Sequence, residues 1–357
     1  MLDSVLVIRF QILVRTETGG GPAGPPFFSN TFLNILTHLF TPERLIMTKP
    51  FLTYQQQLHK LIIEKHLIIK DINFARQKLC DIGYFSLIDG YKTPFQDPMT
   101  RVYFPNTTFE DIFALYQFDT LLRELIFRYL CLIEKKMCNL ISYAFCARHG
   151  ESQQEYLSPA NYNYTPKNRQ GIHKLIKLLE RLANSNTDYE YLIHQRKAYN
   201  NVPFWILVNA LTFGQLSKIY SFLPFQIQSN ISRNFIHVNE KALEQYLRSL
   251  VLYRNVCAHN ERLFSRKIYS DIPDTPLHKK LKIPQTGTQF AMGKRDLFSI
   301  VIAFRYLLPK NDFKIFKRKL SRLIDKYLKS SSCICERQLL HIMGFPLNWK
   351  DISKYKL

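Results

Sequence analysis

Residues 109–147 read FEDIFALYQFDTLLRELIFRYLCLIEKKMCNLISYAFCA, and this stretch decides the fold class. Phe109, Ile112, Phe113, Leu115, Tyr116, Leu121, Leu122, Leu125, Ile126, Tyr129, Leu130 and Ile133 form an apolar band at helical spacing, the period of one face of an α-helix. A single long helix is therefore predicted from Phe109 to about Ala147.

Working outward, Leu58, Leu61, Ile62, Leu67 and Ile68 repeat at the same spacing behind Thr53, a residue suited to cap a helix start. A second helix is predicted over Ile72–Ile82, with Gly83 at its C-cap, and a polar loop past Pro94 reaches Thr108. On the other side, helices are predicted at 168–184, 203–212, 215–222, 239–264, 294–308 and 312–328. Pro203 suits a first helical turn and Gly214 punctuates the next pair. No internal repeat and no series of alternating strands appears. The fold class is mainly α, a helical bundle with decorations. The expected divisions are an N-terminal extension over 1–46, a helical region over 47–108, the bundle over 109–330 and a C-terminal segment over 331–357 packing on it.

Residues 1–46 read unlike the rest. Thr18-Gly19-Gly20-Gly21-Pro22-Ala23-Gly24-Pro25-Pro26 suits neither helix nor strand, and a second start-like sequence follows at Met47-Thr48-Lys49-Pro50. An upstream translated extension or a disordered tail is expected; a targeting peptide fits Glu17 and Glu43 poorly. No run of about 18 apolar residues occurs, so no membrane span is expected, and the apolar Leu2–Val14 stretch lacks the basic start and small-residue cleavage site of a signal peptide.

The composition, 46% hydrophobic and 14% aromatic, is that of a packed globular chain. With 49 Lys and Arg against 28 Asp and Glu, the formal net charge is +21. A field of that size attracts polyanions, nucleic acid first among them, and composition does not separate RNA from DNA. Seven cysteines, at 80, 131, 138, 146, 257, 333 and 335, include no CxxC pair. They read as buried, reduced thiols of a cytoplasmic protein with no metal site. His149, His173, His194 and His237 likewise show no metal-ligand spacing, and no cofactor is expected.

Chemistry concentrates in Leu247-Arg248-Ser249-Leu250-Val251-Leu252-Tyr253-Arg254-Asn255-Val256-Cys257-Ala258-His259-Asn260-Glu261-Arg262-Leu263. Leu243, Leu247, Leu250 and Val251 make a buried stripe, and Arg254, Asn255, His259 and Arg262 gather within two turns. Asn255 and His259 share a face, whereas Arg254 is rotated by about 140° from His259. These residue types suit RNA cleavage. The 2′-hydroxyl must lose a proton as it attacks phosphorus and the 5′-oxygen must gain one, and histidine, with an ordinary pKa of about 6.5, does either. A guanidinium binds the charged oxygens of the transition state. A satisfied polar patch at a helix end is the competing reading.

Arg254-Asn255-x-x-x-His259 resembles the R-(x4–6)-H signature of HEPN ribonucleases. The surroundings resemble the Abi-like proteins of the AbiD and AbiF group, over roughly Thr53 to Lys350, through pieces in a fixed order. Gly83-Tyr84-Phe85 leads to Gly90-Tyr91-Lys92-Thr93-Pro94-Phe95, and Phe109-Glu110-Asp111-Ile112 leads to Asp119 and Leu122-Arg123. Then come Pro203-Phe204-Trp205 with Leu211 to Ser217, the Arg254–Leu263 run, and Met343-Gly344-Phe345-Pro346-Leu347-Asn348-Trp349. One departure is Asn209, where relatives are expected to carry an acid. The resemblance implies a HEPN-type helical bundle with additional N- and C-terminal helices. It implies a metal-independent endoribonuclease acting as toxin or abortive-infection effector in antiphage defence, as a homodimer, restrained by a small noncoding RNA. Arg254, Asn255 and His259 would be catalytic. Arg262, Arg266, Lys267, Tyr91 and Lys92 are candidates for contacting RNA. Asp119 and Arg123 read as a structural ion pair and Trp205 as core. The alternatives are a non-catalytic RNA-binding helical module and a protein-interaction domain whose charge serves solubility.

Overall fold

The computed structural model describes residues 50–185, 188–331 and 333–356; the expected 1–46 extension lies outside them. Helix α1 (Tyr54–His59) starts where Thr53 was predicted to cap it, through a reciprocal capping box with Gln56, and runs into a π-helical turn over Lys60–Glu64. Helix α2 (Ile72–Ile82) is capped by Asp71 and closed by Gly83 at φ +87°, a conformation that glycine adopts without a Cβ penalty. A second π turn (Phe85–Asp89) and a 3-10 turn (Thr93–Phe95) lead on.

Helix α3 (Phe109–His149) then runs for 41 residues, about 60 Å at 1.5 Å per residue. Thr108 and Asp111 cap its start and Gly150 ends it. The chain continues through α4 (Gln153–Leu157), α5 (Arg169–Asn184), α6 (Glu190–Tyr199), α7 (Phe204–Leu207), α8 (Phe213–Phe222), α9 (Phe225–Ser232), α10 (Glu240–Ala258), α11 (Pro276–Lys280), a two-stranded antiparallel ribbon of β1 (Gln285–Thr286) and β2 (Gln289–Phe290), α12 (Leu297–Leu307), α13 (Lys310–Ser330) and α14 (Glu336–Met343). The architecture is mainly helical, as predicted. Helix α3 is the spine: α13, α10, α8 and α9 all pack along it, covering Ile112, Leu115, Leu122, Ile126, Leu130 and Ile141, each fully buried. The residues from Leu52 onward form one unit.

Three boundaries differ from the sequence reading. The predicted 203–212 helix is a four-residue α7 followed by a 3-10 turn, and Pro203 caps it from outside its first turn. Gly214 lies inside α8, whose start is fixed by the Thr212–Gln215 capping box. The helix predicted over 239–264 stops at Ala258, for reasons that bear on the site. The expectation of buried thiols also needs correction, since Cys138 and Cys257 are buried but Cys80 and Cys335 are exposed.

Candidate active site

Helix α10 buries Leu243, Tyr246, Leu247, Leu250, Tyr253, Val256 and Cys257, so its remaining face carries Arg254, Asn255 and Ala258. It ends in a Schellman motif: Asn260 N–H donates to Cys257 O at 3.3 Å and Glu261 N–H to Val256 O at 3.0 Å. Asn260 takes the left-handed conformation, φ +54°, which asparagine tolerates better than other side chains that carry a Cβ. His259 is thereby the C-cap, exposed, its own N–H bonded to Asn255 O at 2.9 Å.

The segment after the motif is held by α3. Asp119, fully buried, accepts the backbone N–H of Leu263 at 3.0 Å and of Phe264 at 2.7 Å. It also accepts the Tyr91 hydroxyl at 2.7 Å and Arg123 Nη1 at 2.7 Å. Arg123 in turn donates to Tyr91 Oη and Glu261 O and, through Nη2, to Thr120. Burial raises the Asp119 carboxyl, while Leu263 N–H, Arg123 and the Tyr91 hydroxyl pull it back toward the carboxylate. The pair read from sequence as structural is the anchor of the loop behind His259. It is also why the helix ends early: the N–H groups of Leu263 and Phe264 go to Asp119 and not to a further helical turn.

His259, Asn260, Glu261, Arg262, Ser265, Arg266 and Lys267 form one wall of an open cleft of about 800 Å³; Asp81, Phe85, Ser86, Asp89 and Gly90 form the other. Arg262 Nη1 crosses it to Gly90 O at 2.6 Å, and Arg266 sits 3.4 Å from Glu261. The structure thus brings His259, Arg262, Arg266 and Lys267 together.

It does not bring all the candidates there. Arg254 points to α3 instead, its Nε 3.6 Å from Glu134 Oε2, and neither it nor Asn255, which is exposed, lines the cleft. Burial raises the Glu134 carboxyl, and Arg254 draws it down. Glu134, 120 positions from Arg254, is not among the residues singled out by the sequence; its only signal is that it is the single carboxylate in the C-terminal half of α3. Lys92 is not in the cleft lining but is bonded to Asp89, which is. Tyr91 is a correction: it is 3% exposed, stacked on Phe264 with centroids 5.8 Å apart, and floors the cleft where no base can stack on it. Burial and Asp119 both push its phenol up. Trp205, expected in the core, is 56% exposed, because Phe204 and Leu207 take the inward positions of the short α7. Asn209 accepts Lys135 Nζ at 2.8 Å, a contact that also suits an acid. Burial lifts the Cys257 thiol to about 12, so it is no nucleophile.

Among the described residues no group of three or more His, Cys, Asp or Glu side chains is arranged to hold a metal ion, and no helix is long and apolar enough to cross a membrane. The sequence model of a family described as Abi-like protein matches residues 77–265, more than half of the chain. That span takes in both walls of the cleft up to Ser265. No curated protein and no solved structure matches.

Proposed function

The chain belongs to the Abi-like protein family, which ties it to abortive-infection defence, and on that premise we propose that it is a HEPN-type, metal-independent endoribonuclease. The observation that carries this reading is His259, exposed at the end of α10 and opening with Arg262, Arg266 and Lys267 into one cleft. RNA lying there would lose its 2′-hydroxyl proton to a histidine as that oxygen attacks the adjacent phosphorus. The bond from phosphorus to the 5′-oxygen then breaks, and the leaving oxygen takes a proton from an acid. The products are a 2′,3′-cyclic phosphate and a 5′-hydroxyl. Arg262 spends one of its five N–H donors on Gly90 O and keeps the others for phosphate oxygens.

One chain supplies one such histidine, and its Arg254 is turned to Glu134. A homodimer meeting across a two-fold axis supplies both base and acid, and brings the Arg254 side of one copy toward the RNA held by the other. A small structured noncoding RNA is the proposed restraint on the toxin. The second reading, a non-catalytic RNA-binding module, is favoured by that same turning of Arg254 away from the cleft. Cleavage of a labelled RNA by the unmodified chain, His259→Ala and Arg254→Ala separates the two. Each variant is expected to lose on the order of 10²-fold or more in rate while still folding cooperatively, with no effect of EDTA; Arg254→Ala should also melt somewhat lower, because it leaves Glu134 without its partner. Full activity of His259→Ala would end the catalytic reading, and RNA retention without cleavage by the unmodified chain would establish the second.

A further inference from the structure

Helix α13 carries a second concentration of positive charge, away from the cleft. Its sequence, KNDFKIFKRKLSRLIDKYLKS, holds eight Lys or Arg and two Asp. The apolar side is spent on the core, where Phe313, Phe316, Leu320, Ile324 and Tyr327 are buried. The opposite side borders a groove of about 430 Å³ lined by Lys314, Lys317, Arg318, Ser321, Arg322, Lys350 and Ser353. Every lining residue is a cation or a hydroxyl, and no carboxylate is among them. Lys314, Arg318 and Arg322 are exposed and enter no salt bridge among the described residues. Lys317 is held inside by Lys350 O and by Ser353 Oγ at 2.9 Å. Burial lowers its ammonium; Asp351 opposes this, and Lys354 and Lys350 add to the lowering. Of the lining cations only Lys350 is salt-bridged among the described residues, to Asp325 at 3.4 Å and Glu336 at 4.0 Å, so the groove keeps a surplus of like charge that an anion relieves.

We propose that this groove binds the phosphate backbone of an RNA strand, as a docking site separate from the cleft at His259. The cations Lys314, Arg318 and Arg322 recur every four residues, slightly more than one turn or about 6 Å along the helix. That spacing is on the scale of successive phosphates, so the helix presents a row to a strand rather than a point to a small anion. The Ser353 hydroxyl, which accepts Lys317, keeps its own O–H for a phosphate oxygen, while that of Ser321 is turned to Asp325 at 3.5 Å. An anionic membrane is the poorer occupant, because a helix that lies in a bilayer surface must bury its own apolar face there, and that of α13 is already in the core. The choice of RNA over DNA rests on the ribonuclease reading; the groove itself does not.

The test uses the full chain carrying His259→Ala, so that a labelled single-stranded RNA stays intact, with fluorescence anisotropy read between about 50 and 200 mM salt. Lys314→Gln/Arg318→Gln/Arg322→Gln is compared with Lys174→Gln/Lys177→Gln/Arg181→Gln on α5, which removes the same charge from another face. All six side chains are exposed, and melting curves check that both proteins fold. The α13 variant is expected to bind at least tenfold more weakly and to flatten the salt slope by about 2, from roughly 0.7 per lost phosphate contact. The α5 variant should change either quantity far less. Equal losses in both variants would reduce the groove to a share of the general field and overturn the proposal. So would unchanged RNA affinity in the α13 variant, whether or not it loses binding to phosphatidylserine vesicles. If the unmodified chain cleaves no RNA, the catalytic reading fails while this comparison still decides the groove.

Discussion

Removing the Asp119 carboxylate should cost more than any exposed residue of the cleft, and the structure sets the size. Asp119→Ala leaves Arg123, 4% exposed, without its counter-ion. It also leaves the N–H groups of Leu263 and Phe264 and the Tyr91 hydroxyl without their acceptor. Breaking a buried pair from one side costs about 3–5 kcal/mol, and a buried donor left unsatisfied about 1–3 kcal/mol. Because the loop relaxes and readmits water, these do not add in full. A loss of about 4 kcal/mol is the working figure, or about 8 °C in melting temperature at roughly 2 °C per kcal/mol for a chain of this size. Calorimetry on Asp119→Ala, Arg123→Ala and the double variant closes a cycle. The double variant should fall short of the sum by about 1–3 kcal/mol. RNA cleavage, measured well below the melting point, should drop as well, since Arg262 loses the backbone that presents it. A melting point within about 2 °C of the parent, or strictly additive losses, would refute the anchoring role.

Two further outcomes are expected. Asn260→Val should destabilise by about 1–2 kcal/mol, since a β-branched side chain resists the left-handed C′ position, while Asn260→Gly should be near neutral; equal melting points for Val and Asn would remove the Schellman argument. Asp296 is buried and accepts Gly293 N–H on both oxygens, and burial lifts its carboxyl to about 7. Its folded-state pKa stands above the unfolded one, so its contribution is full below about pH 4 and fades as pH rises through about 7. The melting point of Asp296→Asn relative to the parent should therefore climb between pH 5 and pH 8, and a flat difference would contradict the raised carboxyl.

The features legible in the sequence were those that local chemistry settles. The apolar band of α3, the cap at Thr53 and the glycine stop at Gly83 all depend on residues a few positions apart, and each lies where the spacing predicted; the cap at Thr108 is as local, although the sequence reading took that residue only as the end of a loop. The end of α10 did not follow from spacing, because Leu263 and Phe264 continue an apolar pattern and what stops the helix is a carboxylate more than 140 positions away. Tyr91 sits in a stretch that reads as loop, and only the meeting of α3 with the segment after His259 shows it to be floor. Trp205 looked like core among Phe204, Ile206 and Leu207, but a helix of four residues has room for two inward side chains. The candidate site was half legible: its histidine and the cations after it are neighbours in the chain, while the partnership of Arg254 with Glu134 is purely tertiary.

Helix α3 meets the motif segment at two places, Glu134 with Arg254 and Asp119 with Leu263 and Phe264. A rigid helix between two fixed attachments behaves as a shaft with a set phase. One residue inserted between Asp119 and Glu134 would advance one attachment by 1.5 Å and turn it through about 100° relative to the other, and no side chain spans that error. About eighteen residues, five whole turns, would restore the angle but move the attachments roughly 27 Å further apart along the axis. The interval between those two acids is therefore a dimension of the candidate site, although neither acid is in the cleft lining, and the chain can change length far more safely in the loops beyond Gly150 than anywhere along that shaft.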